Sequence, residues 1–331
     1  MKQSMLYLLL LYSFTSCSGQ KPLGTELLQQ EKIIEMPGVN GRIDHLAINL
    51  KENILYVAAL GNNSIEVVDI KRGLVLHSIK GLDEPQGIAY IPVSNELVVA
   101  NGGNGNCIFY NASTYGVIAT IELGSDADNI RYSSTDGKIY VGYGNGGLAV
   151  IDAATHKPIT EINLPAHPES LQIDQKNNVL FVNLPDDNST AVINLKSLKV
   201  THIWKTNGVS ANFPMTLDTT NNSVIIGYRH PAVLVSYDGT TGKELSRTAL
   251  ISDVDDVFYD PSKQMVFASG GAGAINIFKK DSANAFKKIA DIPTTTGART
   301  SLLIPVLQTL ILAERATGGK PAALVVYKIQ G

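Results

Sequence analysis

Charged and amide side chains recur beside short apolar runs of this sequence, and three of its six histidines lie among them. Carboxylates and imidazoles could bind a cation or move protons, and guanidinium groups could hold an anionic ligand through paired hydrogen bonds. Tight turns do not require such side chains. We therefore expect them to form a ligand-binding site. The candidate residues are Arg42, Asp44, His45, Gln86, Asp128, Asn129, His167, Glu169, Arg229, Asp255, Asp256 and Arg299.

Four of these side chains are candidate metal ligands, namely His45, Asp128, His167 and Asp255. Together they could hold a hard divalent cation such as Ca²⁺ or Mg²⁺, although no single segment has the spacing of a metal motif. Neighbouring residues on a strand point to opposite sides. Of the adjacent pair Asp255 and Asp256, we therefore expect one to face the site and the other to bond a neighbouring element.

Seven copies of one repeat must position these residues. The cores of the repeats recur every 41 to 45 residues, and they begin at Leu55, Leu97, Ile139, Leu180, Val224, Met265 and Leu310. Each core has an apolar strand before it and alternating strands after it, which gives four strands per repeat. The pattern predicts an all-β, seven-bladed β-propeller with four-stranded antiparallel blades. One blade cannot bury both of its faces alone, so we expect residues 32–331 to fold as a single domain.

The last repeat ends after its third strand, at residues 323–327. The missing strand is predicted at the other end of the chain, because Pro37 and Gly41 have the same spacing as Pro293 and Gly297. We expect an N-terminal strand at about 33–39 to complete the last blade. This closure removes an open sheet edge between the chain ends.

Antiparallel blades place all the candidate residues on one face of the ring. Loops that enter the innermost strands share this face with loops that join second and third strands. Innermost strands begin at the mouth of the central channel, so side chains that are distant in sequence converge there. Loops on the opposite face, such as 51–53 and 238–242, are ordinary turns.

The repeats resemble a known family. The segments Leu-Tyr-Val-Ala-Ala-Leu-Gly-Asn-Asn-Ser-Ile-Glu-Val-Val-Asp at 55–69 and Tyr-Val-Gly-Tyr-Gly-Asn at 140–145 are similar to YVTN-type β-propeller repeats, specifically those of the YncE-like bacterial exported proteins. The resemblance extends over about 290 residues, from Arg42 onward. It implies the propeller fold and leaves the activity open.

The N-terminus has the form of an export signal. Lys2 precedes an apolar run at 5–14 that is too short to span a bilayer. Thr15, Ser16 and Cys17 resemble a lipobox, which favours lipidation of Cys17 over plain secretion. We expect a signal peptide at 1–17, a flexible tether at 18–31 and a lipid-anchored protein of the bacterial cell envelope, either periplasmic or at the outer membrane or cell surface.

Composition excludes several classes of function. The net charge is −3, from 27 basic and 30 acidic residues, and no basic cluster is visible. We therefore expect no nucleic-acid partner.

Glycines at 142–147 fit a dinucleotide-binding pattern, but a strand rather than a helix follows them, so the phosphate site is missing. Cys107 lies in an apolar strand and is expected to be a buried small hydrophobe.

Two functions agree with these features. The first is a non-catalytic, membrane-anchored propeller, expected to be a monomer, that binds a small molecule or a protein at the channel mouth. The alternative is a divalent-metal-assisted lactonase or lyase with its site in the same place. In that case the cation would polarise a carbonyl group and a histidine or aspartate would move a proton.

Overall fold

Alternating apolar and polar residues form β-strands along most of the chain. The computed structural model describes residues 27–281 and 285–330. These residues form 28 strands in seven four-stranded sheets whose strand pairs are antiparallel. The all-β, seven-bladed propeller predicted from the repeats is therefore confirmed. The signal peptide, Cys17 and most of the tether lie outside the described residues.

Each blade contributes one strand to each of four positions from the channel outward. The innermost strands are β2 (Leu46–Asn49), β6 (Pro85–Ile91), β10 (Ala127–Ser133), β14 (Leu171–Asp174), β18 (Ser210–Asp218), β22 (Val254–Asp260) and β26 (Ser301–Ile304). The second strands, which contain the predicted repeat cores, are β3 (Ile54–Ala59), β7 (Glu96–Asn101), β11 (Lys138–Tyr143), β15 (Val179–Leu184), β19 (Ser223–His230), β23 (Met265–Gly270) and β27 (Thr309–Glu314). The third strands are β4 (Ser64–Asp69), β8 (Asn106–Asn111), β12 (Gly147–Asp152), β16 (Ser189–Asn194), β20 (Ala232–Asp238), β24 (Ala274–Lys280) and β28 (Ala322–Ile329). The outermost strands are β5 (Leu74–Lys80), β9 (Val117–Glu122), β13 (Lys157–Asn163), β17 (Lys199–Lys205), β21 (Glu244–Ala249), β25 (Phe286–Pro293) and β1 (Leu28–Met36).

The N-terminal strand closes the ring as predicted, but it begins earlier. β1 pairs antiparallel with β28, in a register that runs from Leu28 opposite Ile329 to Met36 opposite Ala322. A bulge between Gln30 and Lys32 changes the side of the sheet that even-numbered residues face. As a result, Leu28 packs towards the sixth blade, whereas Ile34 and Met36 pack towards the first. Because of the bulge, buried and exposed residues do not alternate regularly along the whole strand. Simple alternation in the sequence therefore does not reveal its first part.

Apolar side chains fill the spaces between neighbouring blades. The described residues form seven buried clusters, one at each blade-to-blade interface. Between the first and second blades, for example, the rings of Tyr56 and Tyr90 stack with their centroids 6.0 Å apart. Cys107 is fully buried between the second and third blades, and burial raises the pKa of its thiol to about 12. It is the small buried hydrophobe that the sequence predicts.

Helical structure in the described chain is confined to short 3-10 turns, at Leu60–Asn62, Pro185–Asp187 and Pro305–Leu307. The first two connect second and third strands on the face where the innermost strands begin. Across residues 27–281 and 285–330, no helix has the length and apolar character needed to cross a membrane.

Candidate functional site

Two cavities with shared lining residues lie where the innermost strands begin. The outer one, the mouth cavity, has a volume of about 360 Å³ and is lined by Arg42, Gln86, Asp126, Asp128, Asn145, His167, Glu169, Asp186, Phe213, Arg229, Asp255 and Arg299. The inner cavity lies deeper in the channel and has a volume of about 50 Å³. Each of the twelve candidate residues lines one cavity or both. The structure thus brings together side chains from all seven blades, while their role as ligand contacts stays a prediction.

Irregular backbone directs side chains into the channel. Four innermost strands contain a register shift near their start: β6 between Pro85 and Ile88, β10 between Ala127 and Ile130, β18 between Asn212 and Met215, and β22 between Val254 and Asp256. Just before or within these starts, four residues other than glycine adopt positive φ angles of 41° to 60°, namely Glu84, Asp126, Ala211 and Asp253. Bulges and left-handed residues of this kind re-aim side chains and are concentrated at functional sites.

The bulge in β22 corrects one expectation about its paired acids. Asp255 and Asp256 both line the inner cavity, whereas simple alternation allows only one of them to do so. Asp256 also bonds the neighbouring blade as predicted, because its Oδ2 accepts a hydrogen bond from the backbone N–H of Ser301 at 2.7 Å. Burial raises the pKa of Asp256 to about 7, against the opposing effects of His45 and the Ser301 N–H group.

A glycine permits close packing of two innermost strands beside the site. A Cβ atom on Gly87 of β6 would lie 1.7 Å from the backbone oxygen of Asp128 in β10. Only glycine can occupy that position without displacing β10. Gly87 therefore sets how closely the Asp128 backbone approaches the second blade.

One side of the mouth is an arginine–aspartate network across the fifth, sixth and seventh blades. Arg229 donates to Asp255 at 2.5 Å and to the backbone oxygen of Val254 at 2.9 Å. Arg299 lies 2.7 Å from Asp253 and 3.0 Å from Asp255. The Arg229 guanidinium also stacks 3.9 Å from the ring centre of Phe213. Two arginines face two aspartates here, so the positive and negative charges of the network balance.

The inner cavity is lined by a second polar network. Arg42 contacts Asp44 at 2.7 Å, and burial raises the pKa of the Asp44 carboxyl. The Nε2 atom of His45 lies 3.0 Å from the amide nitrogen of Asn129. The Asn129 oxygen in turn accepts from Arg131 at 2.6 Å. This places His45 as the acceptor of an amide hydrogen bond, with Asp44 3.8 Å away.

The other side of the mouth is an acid–histidine group made of Asp128, His167 and Glu169. Each residue offers one ligand atom, and the three atoms lie within 4.8 Å of one another. The Nδ1 atom of His167 donates to the backbone oxygen of Gly144 at 2.5 Å, and its Nε2 atom lies 3.7 Å from Asp128 Oδ2. No other group of three or more potential metal ligands occurs in the described part of the chain. The candidates His45 and Asp255 belong instead to the two networks above.

The pKa values of both His167 and Glu169 in the acid–histidine group are raised. Burial raises the pKa of Glu169 to about 8, and the nearby charge of Asp128 adds to this effect. Burial lowers the pKa of His167, but Asp128, the Gly144 carbonyl and Glu169 outweigh it and raise that pKa to about 9. A cation bound here would favour the deprotonated forms of both side chains.

Several lining residues are absent from the candidate set derived from the sequence. Asp126, Asn145, Asp186 and Phe213 line the mouth cavity, and Arg131 lines the inner cavity. A signal for Arg131 was present, because it lies two residues beyond Asn129 on the same strand and so shares its side. The other four lie on the face that the sequence predicts for the site, but repeat spacing does not specify loop conformation, so it does not show that their side chains turn into the cavity.

Comparisons with known proteins identify the fold and little more. No family model matches the chain. Antigen Lp49 of Leptospira interrogans serogroup Icterohaemorrhagiae serovar copenhageni (strain Fiocruz L1-130) is 35% identical over 86 residues, which is 26% of this chain and 19% of that protein. The chain therefore matches about one fifth of the length of this relative.

Solved structures match over nearly the whole ring at low sequence identity. A chain of the mitotic checkpoint complex has a TM-score of 0.79 and 16% identity over 99% of this chain and all of its own. The WD40 repeats of RRP9 have a TM-score of 0.77 and 10% identity over 92% of this chain and all of their own. Kuenenia stuttgartiensis hydrazine synthase has a TM-score of 0.75 and 16% identity over 84% and 93% of the two chains. At such identities the likeness supports the propeller fold alone.

Proposed function

We propose that this chain is an envelope-anchored binding protein of the YncE-like group of YVTN-type propellers, and that it holds a small polar ligand in its mouth cavity. The observation that carries the proposal is the mouth cavity itself. Its volume of about 360 Å³ falls within the range of about 300–1,000 Å³ that is usual for small-molecule sites. Side chains from all seven blades converge on it.

The lining favours a ligand with both charged and hydrogen-bonding groups. The arginine–aspartate network and the acid–histidine group offer donors on one side and acceptors on the other. Phe213 supplies an apolar surface between them, stacked under Arg229. A small zwitterionic or cationic molecule satisfies this arrangement better than a large apolar one, because buried charges need charged or hydrogen-bonding partners.

A thermal-shift screen tests ligand binding. The purified protein, kept in EDTA, is screened against amino acids, polyamines, sugars and small carboxylic acids. We expect at least one class of compound to raise the melting temperature. At a ligand concentration 100 times Kd, binding should raise the free energy of unfolding by about 2.7 kcal/mol. Asp126→Asn should weaken that ligand roughly tenfold, since a hydrogen bond to a charged group contributes about 1.5–3 kcal/mol.

The matched control is Asp238→Asn, on a turn of the opposite face. Asp238 caps its turn by accepting from the backbone N–H groups of Thr240 and Thr241, and asparagine can do the same. This variant should bind as the wild type does. Absence of any stabilising compound, or equal losses in both variants, would contradict a binding site at the mouth.

We also propose that the mouth faces away from the membrane. β1 leads towards Asp44 and the mouth, so its first residue, Leu28, lies at the opposite end of the last blade. A lipid at Cys17 would then leave from the opposite face. A photo-crosslinker at Thr240, on that face, should form lipid adducts in native envelopes, and the same group at Asn145, which lines the mouth, should form few. Adducts mainly at Asn145 would refute this orientation.

A further inference from the structure

We propose that Asp128, His167 and Glu169 form a binding site for a divalent transition metal ion such as Zn²⁺. This inference rests on and deepens the proposed function, because the three side chains line the same mouth cavity and a bound metal would add one contact to those that the metal-free cavity offers the ligand. It also differs from the cation expected from the sequence. A histidine nitrogen with two carboxylates suits zinc and its neighbours in the periodic table, whereas Ca²⁺ and Mg²⁺ prefer oxygen ligands alone.

The histidine is already oriented as a metal ligand. Metal-binding histidines almost always donate their second ring N–H to a backbone carbonyl or a carboxylate, which fixes the tautomer. His167 does so: Nδ1 donates to the Gly144 oxygen at 2.5 Å, and Asp126 Oδ2 lies within ion-pair distance of the same nitrogen, at 3.5 Å. The Nε2 atom is thereby directed towards Asp128 and the cavity.

The distances between the ligand atoms fit a bound ion better than direct hydrogen bonds. His167 Nε2 and Asp128 Oδ2 are 3.7 Å apart, beyond the roughly 3.2 Å of a good hydrogen bond. Two ligands bound tetrahedrally to one Zn²⁺ at about 2.1 Å each lie about 3.4 Å apart. Small side-chain rotations bring Glu169 into the same sphere, since all three ligand atoms lie within 4.8 Å of one another.

The local charge also favours a cation. Arg42 lines the same cavity, but its ion pair is with Asp44. Among the described residues, no arginine or lysine lies within ion-pair distance of Asp128 or Glu169, whereas the aspartates of the arginine–aspartate network are fully paired. Buried carboxylates require a positive partner or a proton. At this side of the mouth, His167 is the sole positive partner within ion-pair distance of Asp128 in the described chain.

The backbone holds the three ligands in place. The N–H group of Glu169 donates to the backbone oxygen of Asn183 at 3.0 Å, and the Asn183 N–H returns a bond to Ser170 at 2.9 Å. Glu169 is thus fixed against β15, and Asp128 lies in the bulge of β10 packed on Gly87. Ligands on rigid elements give a defined metal geometry. The remaining coordination positions would face the mouth cavity and its ligand.

Metal titration of the purified protein tests the proposal. The protein carries no polyhistidine tag, and metals are removed with EDTA before buffer exchange. We expect the wild type to bind one equivalent of Zn²⁺, and Co²⁺ in its place to show visible absorption bands. Loss of an outer-shell partner costs roughly 10–100-fold in metal affinity, so His167→Gln and Glu169→Gln should each cost at least that much.

The control variant is His156→Gln. His156 also faces a carboxylate, with Nε2 2.8 Å from Glu96 Oε2, but it has no third ligand and lies in another part of the ring. This change should leave Zn²⁺ affinity unaltered, and the melting temperature of each variant reports its folding. Zinc binding as tight in His167→Gln as in the wild type, no stoichiometric binding by the wild type, or equal affinity for Ca²⁺ would each overturn the proposal.

The metal titration contains no organic ligand, and the ligand screen contains EDTA. A failure of the metal site therefore leaves organic binding testable by itself, and the reverse also holds.

Discussion

Deletion of β1, Leu28–Met36, is expected to abolish the cooperative thermal unfolding transition of the propeller. Three of its side chains, Leu28, Ile34 and Met36, are at most 2% exposed. Each contributes roughly 1.5–3 kcal/mol through burial, or on the order of 5–9 kcal/mol together. A whole domain is stable by only about 5–15 kcal/mol. The deletion also leaves β28 as an open edge strand, which promotes aggregation. Circular dichroism during heating measures the loss.

Two neighbouring isoleucines of the same strand provide a matched comparison. Ile34 is 1% exposed in the interface between the last and first blades, whereas Ile33 is 53% exposed. Ile34→Ala should lower the free energy of unfolding by about 2–5 kcal/mol in urea, and Ile33→Ala by no more than about 0.5 kcal/mol. Equal losses at the two positions would show that the N-terminal strand does not close the ring in solution.

The sequence was sufficient to predict the ring because its signal is repeated. Seven cores at nearly constant spacing identify the blades, and a shared Pro-to-Gly spacing identifies the strand that completes the last one. Repetition reports what the blades have in common. It cannot report local departures from the pattern, such as the bulge after Gln30 that hides Leu28, or the bulge that turns both Asp255 and Asp256 inward.

In the candidate site, too, the sequence predicts the features that the blades share but not the local contacts. Chain direction alone places the twelve candidate residues at one mouth, because the innermost strands begin there and the loops between second and third strands lie on the same face. The pairing among them depends on side-chain contacts across blades, which no single repeat encodes. His45 is a plausible metal ligand in the sequence, yet in the structure its Nε2 atom meets the Asn129 amide. Glu169, which the sequence suggested as a ligand contact but not as a metal ligand, lies beside His167 and Asp128 in the structure.

Lys280→Met is expected to destabilise the protein by about 3–5 kcal/mol, because it leaves a buried carboxylate without its partner. Lys280 ends β24 of the sixth blade, and its ammonium lies 2.5 Å from Asp218 Oδ2 of the fifth blade. Their side chains are 3% and 0% exposed. In the sequence, Lys280 looks like an exposed polar residue at the end of an alternating strand. It is buried because the neighbouring blade packs against it. Urea unfolding measures the loss.

The surface pair of Lys205 and Asp187 is the matched control. Its atoms are 2.6 Å apart, but the side chains are 63% and 23% exposed, so Lys205→Met should cost no more than about 1 kcal/mol.

A double variant measures the interaction between Lys280 and Asp218 separately from the other contacts of each side chain. Asp218→Asn keeps an oxygen for the backbone N–H of Asn221, which Asp218 now binds at 3.2 Å. Together with Lys280→Met it removes both charges, so it should be more stable than the sum of the single losses predicts. Additive losses would mean that the two charges do not interact.

The dependence of stability on pH tests the same ion pair independently. Burial raises the pKa of Asp218, but the bonds from Lys280 and Asn221 outweigh it and hold the pKa below its ordinary value. The contribution of a carboxylate with a lowered pKa is present above its unfolded pKa of about 4 and is lost as the pH falls through the folded value. The gap in stability between the wild type and Lys280→Met should therefore narrow as the pH falls, because protonated Asp218 no longer needs a positive partner, and it should be smallest below the lowered pKa that Asp218 has in the wild type.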